Sequence, residues 1–241
     1  MRRARRTTAL AVAFGVVAGV ALTSTVALAQ SATPSAVEKI TFIAGTTNDM
    51  RTVNPFKAIE SPEYEVLSLN YDMLINFAKD DLGPAPGLAT EWTQSEDGLT
   101  WTFTIRDGME WQDGEPVTAE DIAFTFSRIV EYKLGASLDY LPYSTPESFT
   151  APDPQTFVWT TEVPTIAPTI PPWIYIVPEH LWGDLDKDGM KKWAYEPGVN
   201  ESIGSGPFQL TEWIKGDSWT LTANPNYWGG APKIDEYVVK R

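Results

Sequence analysis

Residues 97–128 read DGLTWTFTIRDGMEWQDGEPVTAEDIAFTFSR, and the places where this run changes period decide the fold. Three Asp-Gly pairs, Asp97-Gly98, Asp107-Gly108 and Asp113-Gly114, mark tight turns, because glycine takes positive φ without steric cost. Between the first two, Thr100 to Arg106 alternates strictly. Trp101, Phe103 and Ile105 share one face and Thr100, Thr102, Thr104 and Arg106 the other, which predicts a half-buried strand with its aromatic face on a core. Beyond the third pair the period becomes helical. Thr118 is a good N-cap with Asp121 three residues on, and Ile122, Phe124, Phe126 and Ile129 carry the apolar side.

The composition supports a sizeable core: 43% of the 241 residues are hydrophobic and 12% aromatic, including 10 Trp. Cysteine is absent, which excludes disulfides, thiol catalysis, Cys-based zinc sites and the lipid-bearing Cys of a lipoprotein. Residues 1–29 read as an export signal: Arg2, Arg3, Arg5 and Arg6 form a basic head, Ala9 to Leu22 is apolar, and Ala27-Leu28-Ala29 is a cleavage site. An uncleaved anchor is the rival reading, but Thr23, Ser24 and Thr25 interrupt the apolar run. The residues after the paired arginines suit Sec export better than twin-arginine export. The expected location is periplasmic or secreted. Cleavage removes four arginines and no acid, moving the net charge from −14 to −18, so the mature chain has no electrostatic footprint for nucleic acid or anionic membrane.

Along the rest of the chain, residues 30–37 form a small polar tether, and Lys39 to Ala44 reads as an apolar strand inside a sheet, followed by a Gly45 to Asn48 loop. Asn54-Pro55-Phe56 ends the extended segment. Glu63 to Phe77 has helical spacing, with Val66, Leu69, Met73, Leu74 and Phe77 on one broad face. Gly135 to Tyr143 reads as a loop, Phe149 to Thr161 as a hairpin, and Pro164 to Pro172 as an irregular crossing. Strands are expected at Phe208 to Ile214, Ser218 to Thr222 and Ile234 to Val239.

The opening run resembles the signature of the large solute-binding receptors of peptide/nickel-type ABC importers. The pattern is carried by Arg106, Gly108, Trp111, Asp113, Gly114, Pro116, Val117, Thr118, Ala119, Asp121, Ile122, Ser127 and Arg128. Further elements are similar to that family: Val53-Asn54-Pro55, Pro86 to Trp92, Pro178 to Trp182, Ser205-Gly206-Pro207-Phe208, and Asn224 to Gly230. The resemblance covers essentially residues 38–241. It implies an α/β fold of the large two-lobe periplasmic-binding-protein type, of which this chain carries the amino-terminal lobe, with a mixed sheet and an inserted α+β subdomain, the second lobe missing. The implied division places a core subdomain at about 38–57 and 195–241 and the insert at about 58–194. A lobe of this kind, isolated from its return strands, is expected to expose a sheet edge and apolar surface.

The resemblance also implies the function: not an enzyme but the substrate-binding component of an ABC importer, closing over a small solute and delivering it to a membrane permease. The solute implied is an oligopeptide, with oligosaccharides, opines and chelated metals as variants. The full-length receptor would be a monomer, and no cofactor is required. Carried over from peptide-binding relatives, the ligand-contacting positions fall at Ile59, Glu60 and Ser61 and near Ser137 and Tyr140. The rival reading is that these are ordinary surface loops. An exported acidic polysaccharide hydrolase is the second class of function, yet Glu120-Asp121 on one helix turn reads better as capping than as a catalytic dyad. Asp184, Asp186 and Asp188 imitate the start of a calcium loop. Position twelve is Tyr195, not the bidentate Glu such a loop needs, so a solvated turn ahead of a helix from Met190 to Tyr195 is preferred. The lone His180 reads as structural.

Overall fold

The computed structural model describes residues 39–166 and 173–241. The expected export signal and tether, and residues 167–172 of the Pro-rich crossing, lie outside the described residues. Residues 38–241 form one compact unit.

The alternating run behaves as its pattern requires. Strand β5 (Thr100–Ile105) buries Trp101, Phe103 and Ile105, and Gly98, Gly108 and Gly114 all have positive φ. β5 lies antiparallel between β4 (Ala89–Gln94) and β7 (Thr156–Thr160), with β6 (Phe149–Asp153) outside β7. Helix α2 (Ala119–Tyr132) covers this sheet. Its start is fixed by the capping box, in which the Thr118 amide donates to Asp121 Oδ2 at 2.9 Å. Phe126 stands edge-on to Phe149, Phe157 and Trp159 at centroid distances of 5.4, 5.5 and 5.7 Å. Such T-shaped contacts add to simple area burial.

A second four-stranded sheet runs in the order β1 (Thr41–Gly45), β10 (Glu236–Lys240), β9 (Ser218–Ala223), β8 (Phe208–Ile214). β1 and β10 are parallel and the other pairs antiparallel, so this sheet is mixed. β1 was expected inside the sheet and instead forms its edge, with Phe42 and Ile43 more than half exposed. Its apolar sequence made a buried position the natural expectation, but no strand pairs with its free side among the described residues.

Helix α1 (Ser61–Asn70) belongs to both cores. Val66 packs in the cluster with Trp219, Leu221 and Val239, whereas Leu67 joins that of Phe103, Phe126 and Trp159. The helix is shorter than the Glu63 to Phe77 spacing suggested. Asn70 ends it by committing its groups elsewhere: its side-chain oxygen accepts from Leu210 N (2.9 Å), its amide donates to Ser202 O (3.0 Å), and its carbonyl accepts from Gly206 N (3.0 Å). Met73 then bridges to Tyr175, and Ile75–Phe77 becomes strand β2 against β3 (Pro84–Pro86). A Cβ on Gly204 would lie 1.7 Å from the Asn70 carbonyl, so only glycine permits this docking.

The separate stretches that carry the family resemblance touch one another in space. Gln112, next to Trp111 in the signature, accepts from Gly204 N (2.9 Å) and donates to Phe208 O (3.0 Å), and Arg106 lies 4.0 Å above the Trp228 ring. Asp72, almost fully buried, accepts from Ser205 (3.0 Å), Trp228 Nε1 (3.2 Å) and the Tyr227 hydroxyl (3.3 Å). Burial pushes its carboxyl up to about 6, against the pull of those donors and of Arg106.

Two short helices complete the chain, α3 (Glu179–Trp182) and α4 (Lys187–Lys192). α4 begins earlier than the expected Met190, because Asp186 caps it by accepting from Gly189 N at 2.7 Å. Asp188 pairs with Lys192 one turn on, at 3.1 Å. The calcium-loop reading of Asp184, Asp186 and Asp188 therefore has two of its carboxylates engaged in helix structure, and among the described residues no group of three or more acidic or histidine side chains is placed to hold a metal.

Candidate functional site

A cleft of about 510 Å3 opens along one side of α1. That size suits a small-molecule or peptide side-chain site. Its floor is the helix face bearing Ser61, Tyr64, Glu65 and Ser68, which recur at the 3, 4 and 7 spacing of one stripe. One wall is the chain before the helix, at Phe56 and Ala58. The opposite wall is Ser137 and Tyr140, on a 3-10 turn (Ala136–Tyr140) within the segment expected to be loop. Trp173 closes one end, 6.0 Å from the Tyr64 ring and 5.1 Å from Phe77.

The entry wall is held by a buried carboxylate. Glu63 Oε2 accepts from the amides of Ile59 (2.7 Å) and Glu60 (3.0 Å), and Oε1 from that of Arg51 (3.2 Å). The Arg51 guanidinium adds contacts to Glu63 (3.5 Å) and Glu60 (3.1 Å). Three backbone donors converging on one carboxylate, with Arg51 beside it, hold the chain ahead of α1 in place. The two walls meet at Gly135, which has φ +58; a Cβ there would stand 2.6 Å from the Phe56 carbonyl oxygen.

Of the positions carried over from sequence, Ser61, Ser137 and Tyr140 are brought together in this cleft. Ile59 is 66% exposed and, with Glu60, stays outside the lining; Glu60 serves as the N-cap of α1. Sequence reasoning missed Tyr64, Glu65 and Ser68, although their spacing with Ser61 was a readable polar stripe opposite Val66. Trp173 gave no signal, because it follows the Pro-rich crossing and its approach to Tyr64 depends on tertiary structure.

The lining is aromatic with polar hydroxyls and a single charged group, Glu65, whose carboxylate accepts from the Tyr237 hydroxyl of β10. Burial, then the nearby Tyr140 and Glu63, raise the Tyr64 phenol above its ordinary range, so it is a neutral donor at physiological pH. The Glu120-Asp121 pair lies apart from the cleft: Asp121 accepts from Thr118 N and from Glu179 N (2.9 Å), tying α2 to α3, which is the capping role read from the sequence. His180 Nε2 sits 2.8 Å from Asp113, joining α3 to the signature turn.

The family described as bacterial extracellular solute-binding proteins, family 5 middle, matches residues 83–240. Among curated relatives, the dipeptide-binding protein DppE of Bacillus subtilis is 30% identical over 208 residues, covering 79% of this chain and 37% of that protein. The periplasmic murein peptide-binding protein MppA of Escherichia coli is 27% identical over 222 residues, covering 84% and 39%. Among solved structures, the ABC transporter substrate-binding protein CtaP of Listeria monocytogenes superposes with a TM-score of 0.71 at 28% identity, over 84% of this chain and 40% of that one. The chain thus spans about 40% of the length of the proteins it matches.

Proposed function

Because the chain belongs to the bacterial extracellular solute-binding proteins of family 5, we propose that it acts as the substrate-binding component of an ABC importer and that its solute is an oligopeptide. The observation that carries this reading is the cleft beside α1. It has a wall at Phe56 and Ala58, running into the Ile59–Glu60 stretch that Glu63 holds, an aromatic end and three serine hydroxyls. A peptide can lie along such a wall with its main chain over the helix face, a mode that tolerates varied side chains. In this reading residues 1–29 direct export, the cleft is one side of a ligand site that closes over the solute, and a membrane permease receives the closed form. The β1–β10 sheet forms the core subdomain, with about 58–194 inserted into it.

The experiment is a thermal-shift screen of the purified protein against mixed tripeptides, oligosaccharides and metal chelates. Ligand binding to the folded state raises the melting temperature with the logarithm of ligand concentration over Kd. A shift confined to the peptides is expected. A shift with oligosaccharides or chelates alone would replace the oligopeptide assignment.

A further inference from the structure

We infer that the cleft beside α1 seats a cationic side chain of the bound peptide, Lys or Arg, with its stem against the Tyr64–Trp173 ring pair and its charge at Glu65. The inference rests on the peptide reading above and concerns which peptides are preferred. Glu65 is the only charged side chain in the lining, and the sole hydrogen-bond partner of its carboxylate among the described residues is the neutral Tyr237 hydroxyl. Glu63, two positions earlier, differs: that carboxylate is buried and accepts from three amides with Arg51 beside it, whereas Glu65 is exposed and, among the described residues, makes no ion pair.

The surroundings favour one class of side chain. Tyr64, Tyr140 and Trp173 line the cleft, and aromatic rings attract ammonium and guanidinium groups and pack against an aliphatic stem. A neutral apolar side chain could use the rings but would strip water from Glu65 without replacing it. An acidic side chain would be repelled by Glu65 and by a chain of net charge −14. A cation satisfies all three demands; Ser61 and Ser137 line the same cleft, and Ser68 Oγ, which donates to the Glu65 carbonyl at 3.0 Å, can still accept from a ligand donor.

The test is calorimetric titration of the full chain with trialanine-based peptides carrying Lys, norleucine or Glu at each position in turn. Norleucine keeps the stem and removes the charge. At one position Lys should bind roughly tenfold tighter than norleucine, the sum expected of one exposed ion pair and a cation–π contact, with Glu weakest. Glu65→Gln should close the gap between Lys and norleucine from both sides, weakening Lys by loss of the ion pair and strengthening norleucine by sparing the desolvation of a carboxylate, whereas Trp173→Leu should weaken both together. Circular dichroism melting of each variant guards against loss of fold. Equal binding of Lys and norleucine at every position, or equal losses for both in Glu65→Gln, would overturn the inference while leaving the peptide reading intact. Binding by no peptide at all would overturn both.

Discussion

Asp72→Asn tests the buried polar hub quantitatively. The carboxyl of Asp72 is raised from an ordinary 3.8 to about 6 by burial. The sign follows from linkage: a group that holds its proton more tightly when folded stabilises the fold at low pH, fully so below about 3.8, and that contribution is lost as pH rises through about 6. Over its whole range the shift corresponds to about 3 kcal/mol. Between about pH 5 and about pH 7.5 the loss amounts to roughly 1.4 kcal/mol. The asparagine amide retains an acceptor for Trp228 and Ser205 and can donate to Tyr227, so packing is conserved while the titration is removed. The assay is urea unfolding of both proteins at several pH values, with the difference in unfolding free energy plotted against pH. Other carboxylates cancel in that difference. The Asp72→Asn variant should gain on wild type by roughly 1.4 kcal/mol from about pH 5 to about pH 7.5. A difference that stays flat across this window would refute the claim that Asp72 is buried with its proton held.

Glu63→Ala removes the acceptor of three backbone amides and should cost about 3 kcal/mol or more, read by urea unfolding, with hydrogen exchange accelerated at Arg51, Ile59 and Glu60. Gly135→Ala places a Cβ against the Phe56 carbonyl at positive φ and should destabilise by about 1–3 kcal/mol. It should also weaken peptide binding, because the cleft walls meet there; unchanged calorimetric affinity would remove Gly135 from the cleft's architecture. Phe126→Ala empties the centre of the aromatic cluster and should cost about 3–5 kcal/mol in chemical denaturation.

Legibility in the sequence followed the range of the interactions. β5 and α2 were readable because period, turn glycines and the Thr118–Asp121 cap are local and agree with one another. Ser61, Ser137 and Tyr140 came from resemblance, and the fold alone brings Ser61 to the other two across the cleft. The end of α1 was misplaced because what stops the helix, Asn70 bonding to Ser202, Gly206 and Leu210, is more than 130 residues away in sequence. Met73, Leu74 and Phe77 keep helical spacing and are still buried or half-buried, but on an extended path. The edge position of β1 was equally hidden, since apolar content reports affinity for a core, not the number of neighbouring strands.

The pairing of β1 with β10 fixes a schedule. Ile40 and Asp235 bond to each other across 195 residues, and the ladder of β1 has no other partner strand among the described residues. Closing so long a loop costs about 5 kcal/mol in chain entropy, which the intervening β4–β7 sheet and α1 reduce only by folding first. In a chain made or moved from its amino end, Phe42 and Ile43 therefore wait bare until β10, some 195 residues later, has arrived. That long wait for a partner is thus written into the strand order, and a holding chaperone would be needed more for β1 than for β10.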